Sequence, residues 1–273
     1  MNQEYDAYSP KQIAERVNGV GMTKANLPAL QTITLGVLAG AFIAFGAMFY
    51  TVVITDSLLG FGPTRFLGGI AFSLGLVLVI IAGAELFTGN NLIVIAWAEK
   101  KISGKQLLRN WCLVYLANLL GSLASAWFMS LSGSLNSGDG AVAITAITIA
   151  ENKIALSAME AFIQGILCNA LVCLAVWLCF SAHTVSGKIL AIILPVSAFV
   201  ALGFEHSVAN MYLISVAIFL GDSSITWIDF ALNLIPVTAG NIIGGSVFVA
   251  LVYWLAYLHT AVKPPPQHDD DQR

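Results

Sequence analysis

The chain has 273 residues, 58% of them hydrophobic and only 10% Asp, Glu, Lys or Arg, with a mean hydropathy of +0.84. Soluble domains carry about 25% charged residues, so this composition belongs to an integral membrane protein and excludes a disordered chain or a fibrous repeat. A net charge of −3 and a pI near 5.7 leave no basic surface for nucleic acid, and four cysteines in apolar runs give no secreted disulfide framework.

The polar, acid-containing start, Met1 through Arg16, reads as no signal peptide. Ser9-Pro10-Lys11-Gln12 has the pattern of a capping box with Pro at the first helical position, which predicts a short helix in a cytoplasmic N-terminal segment, residues 1–26. A channel-sized membrane domain, 27–262, follows. Uncharged runs of 31, 29, 27 and 33 residues lie between Lys24 and Asp56, Arg109 and Asp139, Glu160 and Lys188, and Asp229 and Lys263. Each exceeds the roughly 20 residues needed to cross a bilayer, giving spans 1, 3, 4 and 6. Residues 66–98 are apolar except for Glu85, and 189–221 are apolar except for Glu205 and His206. Such interrupted segments predict spans 2 and 5 as broken helices. Lys263 through Arg273, rich in Pro and Asp, is expected to be a disordered cytoplasmic tail.

The N-terminal segment, the 2–3 and 4–5 loops and the C-terminal tail hold ten cations, the other loops only Arg65 and Lys153. By the positive-inside rule both termini are cytoplasmic. The two halves also resemble each other. Ala41-Phe42-Ile43 recurs as Ala161-Phe162-Ile163 and Glu85 as Glu205, both at an offset of 120, and Ala117 through Ser122 matches Gly240 through Gly245 at 123. Two three-span copies have opposite topology, and inverted repeats of this kind place a permeation site at the midplane between the broken helices.

The breaks read Gly83-Ala84-Glu85-Leu86-Phe87-Thr88-Gly89-Asn90-Asn91 and Gly203-Phe204-Glu205-His206-Ser207-Val208-Ala209-Asn210. A helix restarting at the midplane presents free N–H groups and a positive dipole end, which suits a small anion. Glu85 and Glu205 are expected to accept the unpaired N–H groups and hold the loops, since a carboxylate facing the passage would repel anions. His206 is the only histidine expected at membrane depth, and intramembrane ionisable groups read first as functional; a neutral packing histidine is the alternative. Thr88 on the other break either bonds the same ligand or caps the restarted helix. Lys153, expected at the start of span 4, either attracts anions to the mouth or snorkels. Asn169 and Asn241 either line the passage or join helices.

These segments, with Gly165 through Ala175 and Asn233 through Gly245, resemble the signature segments of the formate/nitrite transporter family over about residues 25–260. Asn233 through Gly245 is nearer the formate-conducting branch. Glu85 through Gly89 is nearer the nitrite-conducting branch, and Ala170 stands where a larger apolar residue is usual. The resemblance implies an all-α, aquaporin-like fold of six transmembrane helices in two inverted three-helix repeats. It implies a homopentamer in the lipid bilayer of the bacterial inner membrane, conducting formate or a similar small anion with no cofactor and no metal. Nitrite or hydrosulfide is the alternative substrate, and the N-terminal helix is a candidate site for a cytoplasmic partner. By position, Phe72, Leu76 and Phe199 would form a periplasmic constriction and Leu86 and Phe87 a cytoplasmic one. Thr88 and His206 would be the polar pair between them, and Lys153, Asn169 and Asn241 would draw in the anion and relay protons. Water and glycerol pores are disfavoured because neither break holds Asn-Pro-Ala, and no His-Glu-x-x-His motif suggests an intramembrane enzyme.

Overall fold

The computed structural model describes residues 7–221 and 224–259. Among them there is no strand beyond an isolated bridge between Ala7 and Ala182. The expected tail at 263–273 lies outside the described residues.

Helix α1 (Pro10–Ala25) begins with a capping box between Ser9 and Gln12 and Pro at its first position. It buries Ile13, Ala14 and Val17. Among the described residues six helices are long and apolar enough to cross a membrane: Ala29–Ile54, Phe61–Gly83, Gly104–Leu131, Ala158–Ser181, Val185–Leu202 and Trp227–His259. The first is α2 (Ala29–Ile54), whose 26 residues exceed a bilayer's needs at about 1.5 Å per residue. The second is α3 (Phe61–Leu78), prolonged by a π turn over Val79–Gly83. After five non-helical residues a 3₁₀ turn, Gly89–Ile93, leads into the short α4 (Val94–Ala98). Next come α5 (Gly104–Leu131), α6 (Ala141–Ile154), α7 (Ala158–Ser181) and α8 (Val185–Leu202). Four more non-helical residues separate α8 from α9 (Ser207–Leu220), and α10 (Trp227–Gly245) runs on through π turns to His259.

Helix α8 stops because Gly203 adopts φ +76°, open to glycine at little cost. Gly203 N–H then donates to Val200 O and Phe204 N–H to Phe199 O, closing the orphan carbonyls. Helix α2 packs on α3 and α5, α7 packs on α8 and α10, and α3 meets α8 across the middle. The α2–α5 and α7–α10 contacts are made backbone to backbone. A Cβ at Gly40 would collide with Asn118 O, and one at Gly240 with Phe162 O. Outward-facing Leu116, Leu120, Leu232 and Ile235 are exposed, an apolar surface suited to lipid or a neighbouring subunit.

Helix α6 differs from the sequence expectation of one loop between spans 3 and 4. It is only 14 residues long, with Glu151 and Lys153 near its end, and too short to cross. Positive φ at Gly138, Asp139 and Gly140 precedes it, and a capping box of Ser157 with Glu160, three residues after it ends, starts α7. Lys153 therefore sits in the last turn of α6, not at the head of a span.

Candidate functional site

Unwound backbone in an apolar interior must find partners. Two asparagines supply them. Asn118 on α5 accepts from Phe87 N–H at 2.9 Å and donates to Glu85 O at 2.9 Å and to Gly36 O of α2 at 2.7 Å. Asn241 on α10 accepts from Ser207 N–H at 2.8 Å and donates to Glu205 O at 3.0 Å and to Gly165 O of α7 at 2.8 Å. Each amide ties both sides of a non-helical stretch to a packed helix, and both side chains are fully buried.

Glu85 and Glu205 were expected to take those N–H groups, and they do not. An amide carries both a donor and an acceptor, whereas a carboxylate can only accept, so the asparagines can clamp N–H and C=O together. The carboxylates instead pair with lysines. Lys24 Nζ stands 2.8 Å from Glu85 Oε1, and Lys153 Nζ stands 2.8 Å from Glu205 Oε1. Asn90 donates to Glu85 at 2.7 Å and Asn210 to Glu205 at 2.5 Å. Asn110 then binds Lys24 O at 3.0 Å, as Asn233 binds Lys153 O at 2.9 Å. The two interruptions thus carry matching networks. The expected lone Lys153 is in fact charge-paired and only 14% exposed.

His206 and Thr88 come together from the two interruptions, with Nε2 2.9 Å from Oγ1. His206 is also the N-cap of α9, its Nδ1 accepting from Ala209 N–H at 3.0 Å. A nitrogen that accepts a backbone N–H carries no proton, so in the neutral ring the hydrogen is assigned to Nε2 and points at Thr88. Thr88 does not cap the restarted helix with its side chain. Phe199 stacks parallel to the imidazole, with centroids 6.0 Å apart, and meets Phe72 edge-on at 5.7 Å.

Three cavities share walls in sequence. One of about 330 Å³ opens beside α6 and is lined by Arg65, Lys153, Glu205, Phe72, Phe199 and His206. A gap of about 10 Å³ follows, walled by Phe72, Phe199, His206, Leu76 and Leu86 among others. Leu76 and Leu86 also border a cavity of about 80 Å³ beside α1, which Lys24 and Asn90 line. Phe72, Leu76, Phe199 and Leu86 therefore surround one narrow apolar gap around the His206 ring. Phe87, expected beside Leu86, lines none of these three spaces. Its ring packs edge-on against Tyr115 at 4.9 Å and Trp111 at 6.2 Å of α5. Leu86 thus borders the gap while Phe87, at the turn that follows, is directed to α5.

Asn169, expected to line the passage, lines none of the three spaces either. It donates to Asn91 Oδ1 at 2.7 Å, to Asn241 O at 2.6 Å and to Thr88 O at 3.3 Å, so it fastens the Thr88 backbone from behind. Asn241 has the clamping role already given. Sequence reasoning missed Lys24, Asn118, Asn90 and Asn210 as site residues. The signal was present: Asn90 and Asn210 recur at an offset of 120, and Asn110, Asn118 recur as Asn233, Asn241 at 123, inside apolar runs.

Comparison with known proteins gives a consistent picture. The model of the family described as formate/nitrite transporter matches residues 11–255. The chain is 45% identical over 250 residues to the uncharacterised transporter YrhG of Bacillus subtilis, covering 91% of this chain and 93% of that protein. It is 39% identical over 273 residues to the formate channel FocA of Escherichia coli K12, covering 93% and 96%. A solved pentameric formate channel with formate bound superposes with a TM-score of 0.79 at 42% identity, covering 84% of this chain and 98% of that one.

Proposed function

The chain belongs to the formate/nitrite transporter family, and from that premise we propose that it is a channel for formate and related small monovalent anions, working as a homopentamer with one passage per subunit. The observation that carries this reading is His206, which lines an apolar gap between two cavities that each hold a lysine and is bonded from behind that wall to Thr88. The α1 end is cytoplasmic by the excess of cations there, so the cavity beside α6 is the periplasmic vestibule.

On this reading the two interrupted segments, α3–α4 and α8–α9, are the broken helices of an inverted repeat. The matched pairs Lys24 with Lys153, Glu85 with Glu205, Asn90 with Asn210 and Asn118 with Asn241 support it. Identical chemistry at both ends offers a permeant the same approach from either side. Each lysine is offset by its glutamate, so it raises local anion concentration without trapping the anion. In the gap a bare charge would lose its hydration at a cost of several kcal/mol. The His206 ring, which lines the gap, is the polar group placed to replace that hydration, with the Thr88 hydroxyl bonded to its Nε2. A second proton on His206 must go to Nδ1, which frees the Ala209 amide. Protonation is thereby coupled to the start of α9, and a protonated ring can pass its proton to formate so that it crosses as a neutral acid.

Stopped-flow uptake into liposomes carrying the purified protein tests this, with formate, nitrite and hydrosulfide compared at pH 5 and pH 7.5. Formate flux exceeding the other two, and dependent on pH, is the expected result. Preferred nitrite or hydrosulfide flux would move the chain to the other branch of the family.

A further inference from the structure

We propose that Arg65 is an entry-side selectivity residue, docking a small planar carboxylate in the 330 Å³ vestibule before it reaches Lys153 and His206; the proposal rests on the reading of this passage as a formate channel. Arg65 lies in the second turn of α3, and the vestibule is one of the spaces its side chain lines. Its guanidinium rests over the Phe61 ring, with Cζ 5.2 Å from the centroid. It lies across the turn that ends α8, where a Cβ on Gly203 would stand 3.0 Å from Nη2. Glycine there gives the head group its space.

Among the described residues, no carboxylate lies within ion-pair distance of Arg65. Its Nε is buried and has no hydrogen-bond partner. The contrast with Lys153 is direct. Lys153 has Glu205 at 2.8 Å, and Glu205 is further committed to Asn210. Of the two cations that face this vestibule, Arg65 is the one whose charge is not answered. Its Nη groups are not buried and have no hydrogen-bond partner among the described residues, so they are the donors that an anion in the vestibule can reach. The guanidinium is a rigid fork of donors that fits two oxygens at once. Formate presents two coplanar oxygens, whereas chloride presents a sphere. Lys153, with a compact ammonium, has no such preference.

The competing account is that Arg65 only complements the negative end of α8. Initial formate flux in orientation-sorted liposomes separates the two, using the wild-type channel with Arg65→Gln and Arg65→Lys. Arg65→Gln should raise the half-saturating formate concentration about fivefold, the scale of one exposed charged contact. It should do so only for formate added at the α6 end and leave the saturated rate unchanged. Arg65→Lys should restore the ionic-strength dependence but not the preference for formate over competing chloride. Line broadening of ¹³C-formate by the detergent-solubilised protein reads binding without transport, and it should fall in Arg65→Gln. An unchanged half-saturation and unchanged broadening would overturn the proposal. So would an equal loss of flux from both ends together with a lower melting temperature, which is what a helix-end role produces. Wild-type flux tests the channel reading separately. If the wild type prefers nitrite, another bent anion with two oxygens, the same Arg65 comparison is made with nitrite.

Discussion

His206 Nε2 and Thr88 Oγ1 stand 2.9 Å apart, although the two residues belong to opposite halves of the chain. The other ring nitrogen is held just as firmly by Ala209 N–H at 3.0 Å. Histidine here is both a helix cap and the titratable group of the gap. Asparagine can take over the first role but not the second, because its Oδ1 can accept the Ala209 amide and it does not titrate. His206→Asn should therefore leave a folded oligomer whose formate flux is flat between pH 5 and pH 7.5. Liposome flux at the two pH values decides it. A variant that keeps the wild-type pH profile would end the proton-sharing mechanism.

Removing the carboxylates should damage the protein more than its selectivity. Glu85 and Glu205 are the counter-charges of Lys24 and Lys153, and breaking a buried ion pair from one side costs about 3 kcal/mol. Lys24 is 26% exposed against 14% for Lys153, so water compensates it better. Glu205→Gln should lower the melting temperature more than Glu85→Gln, as measured by gel filtration after a heating series. A monodisperse, equally stable variant with altered anion preference would show that the carboxylate faces the permeant.

Leu86 and Phe87 are neighbours in sequence with different surroundings, and that separation can be tested. Leu86→Ala opens the gap of about 10 Å³ and should raise acetate and lactate flux relative to formate. Phe87→Ala empties a ring site against Tyr115 and Trp111 and should cost about 3 kcal/mol of stability with no change in the size limit. Uptake of formate, acetate and lactate by the two variants provides the comparison. Acetate passage through Phe87→Ala alone would place the ring in the passage.

The contrast shows what the chain makes legible. Hydropathy exposes the six spans, because a bilayer imposes a length and excludes charge, and Glu85 and Glu205 mark the interruptions by violating that rule. Polar residues in apolar runs also point to the site, as His206, Thr88 and Asn241 do. Their partners are another matter. Lys24 lies outside every span in sequence and reaches Glu85 only because α1 folds against the start of α4. Helix α6 hides for a similar reason: a short uncharged stretch, 141–150, looks the same in sequence whether it ends one span or starts another. Which of Leu86 and Phe87 faces the gap depends on a few backbone angles that no periodicity encodes.

Lys153 is pinned to Glu205, the residue next to His206 in the second interruption. A charge at a narrow mouth raises local anion concentration, and the effect falls with added salt. Lys153→Ala should lower flux at low formate and matter less at saturating formate. It also leaves Glu205 unpaired, adding a repulsive charge, so Lys153→Ala with Glu205→Gln should recover part of the loss. Ionic-strength dependence should weaken in both variants without vanishing, since Arg65 remains in the same vestibule. Lys153→Arg should substitute at least in part if only charge is required. The check is initial flux at several formate and salt concentrations across the four proteins. If Lys153→Arg were as inactive as Lys153→Ala, attraction alone would be wrong. The ammonium's own geometry, bonded to Glu205 and with its carbonyl held by Asn233, would then be what the passage needs.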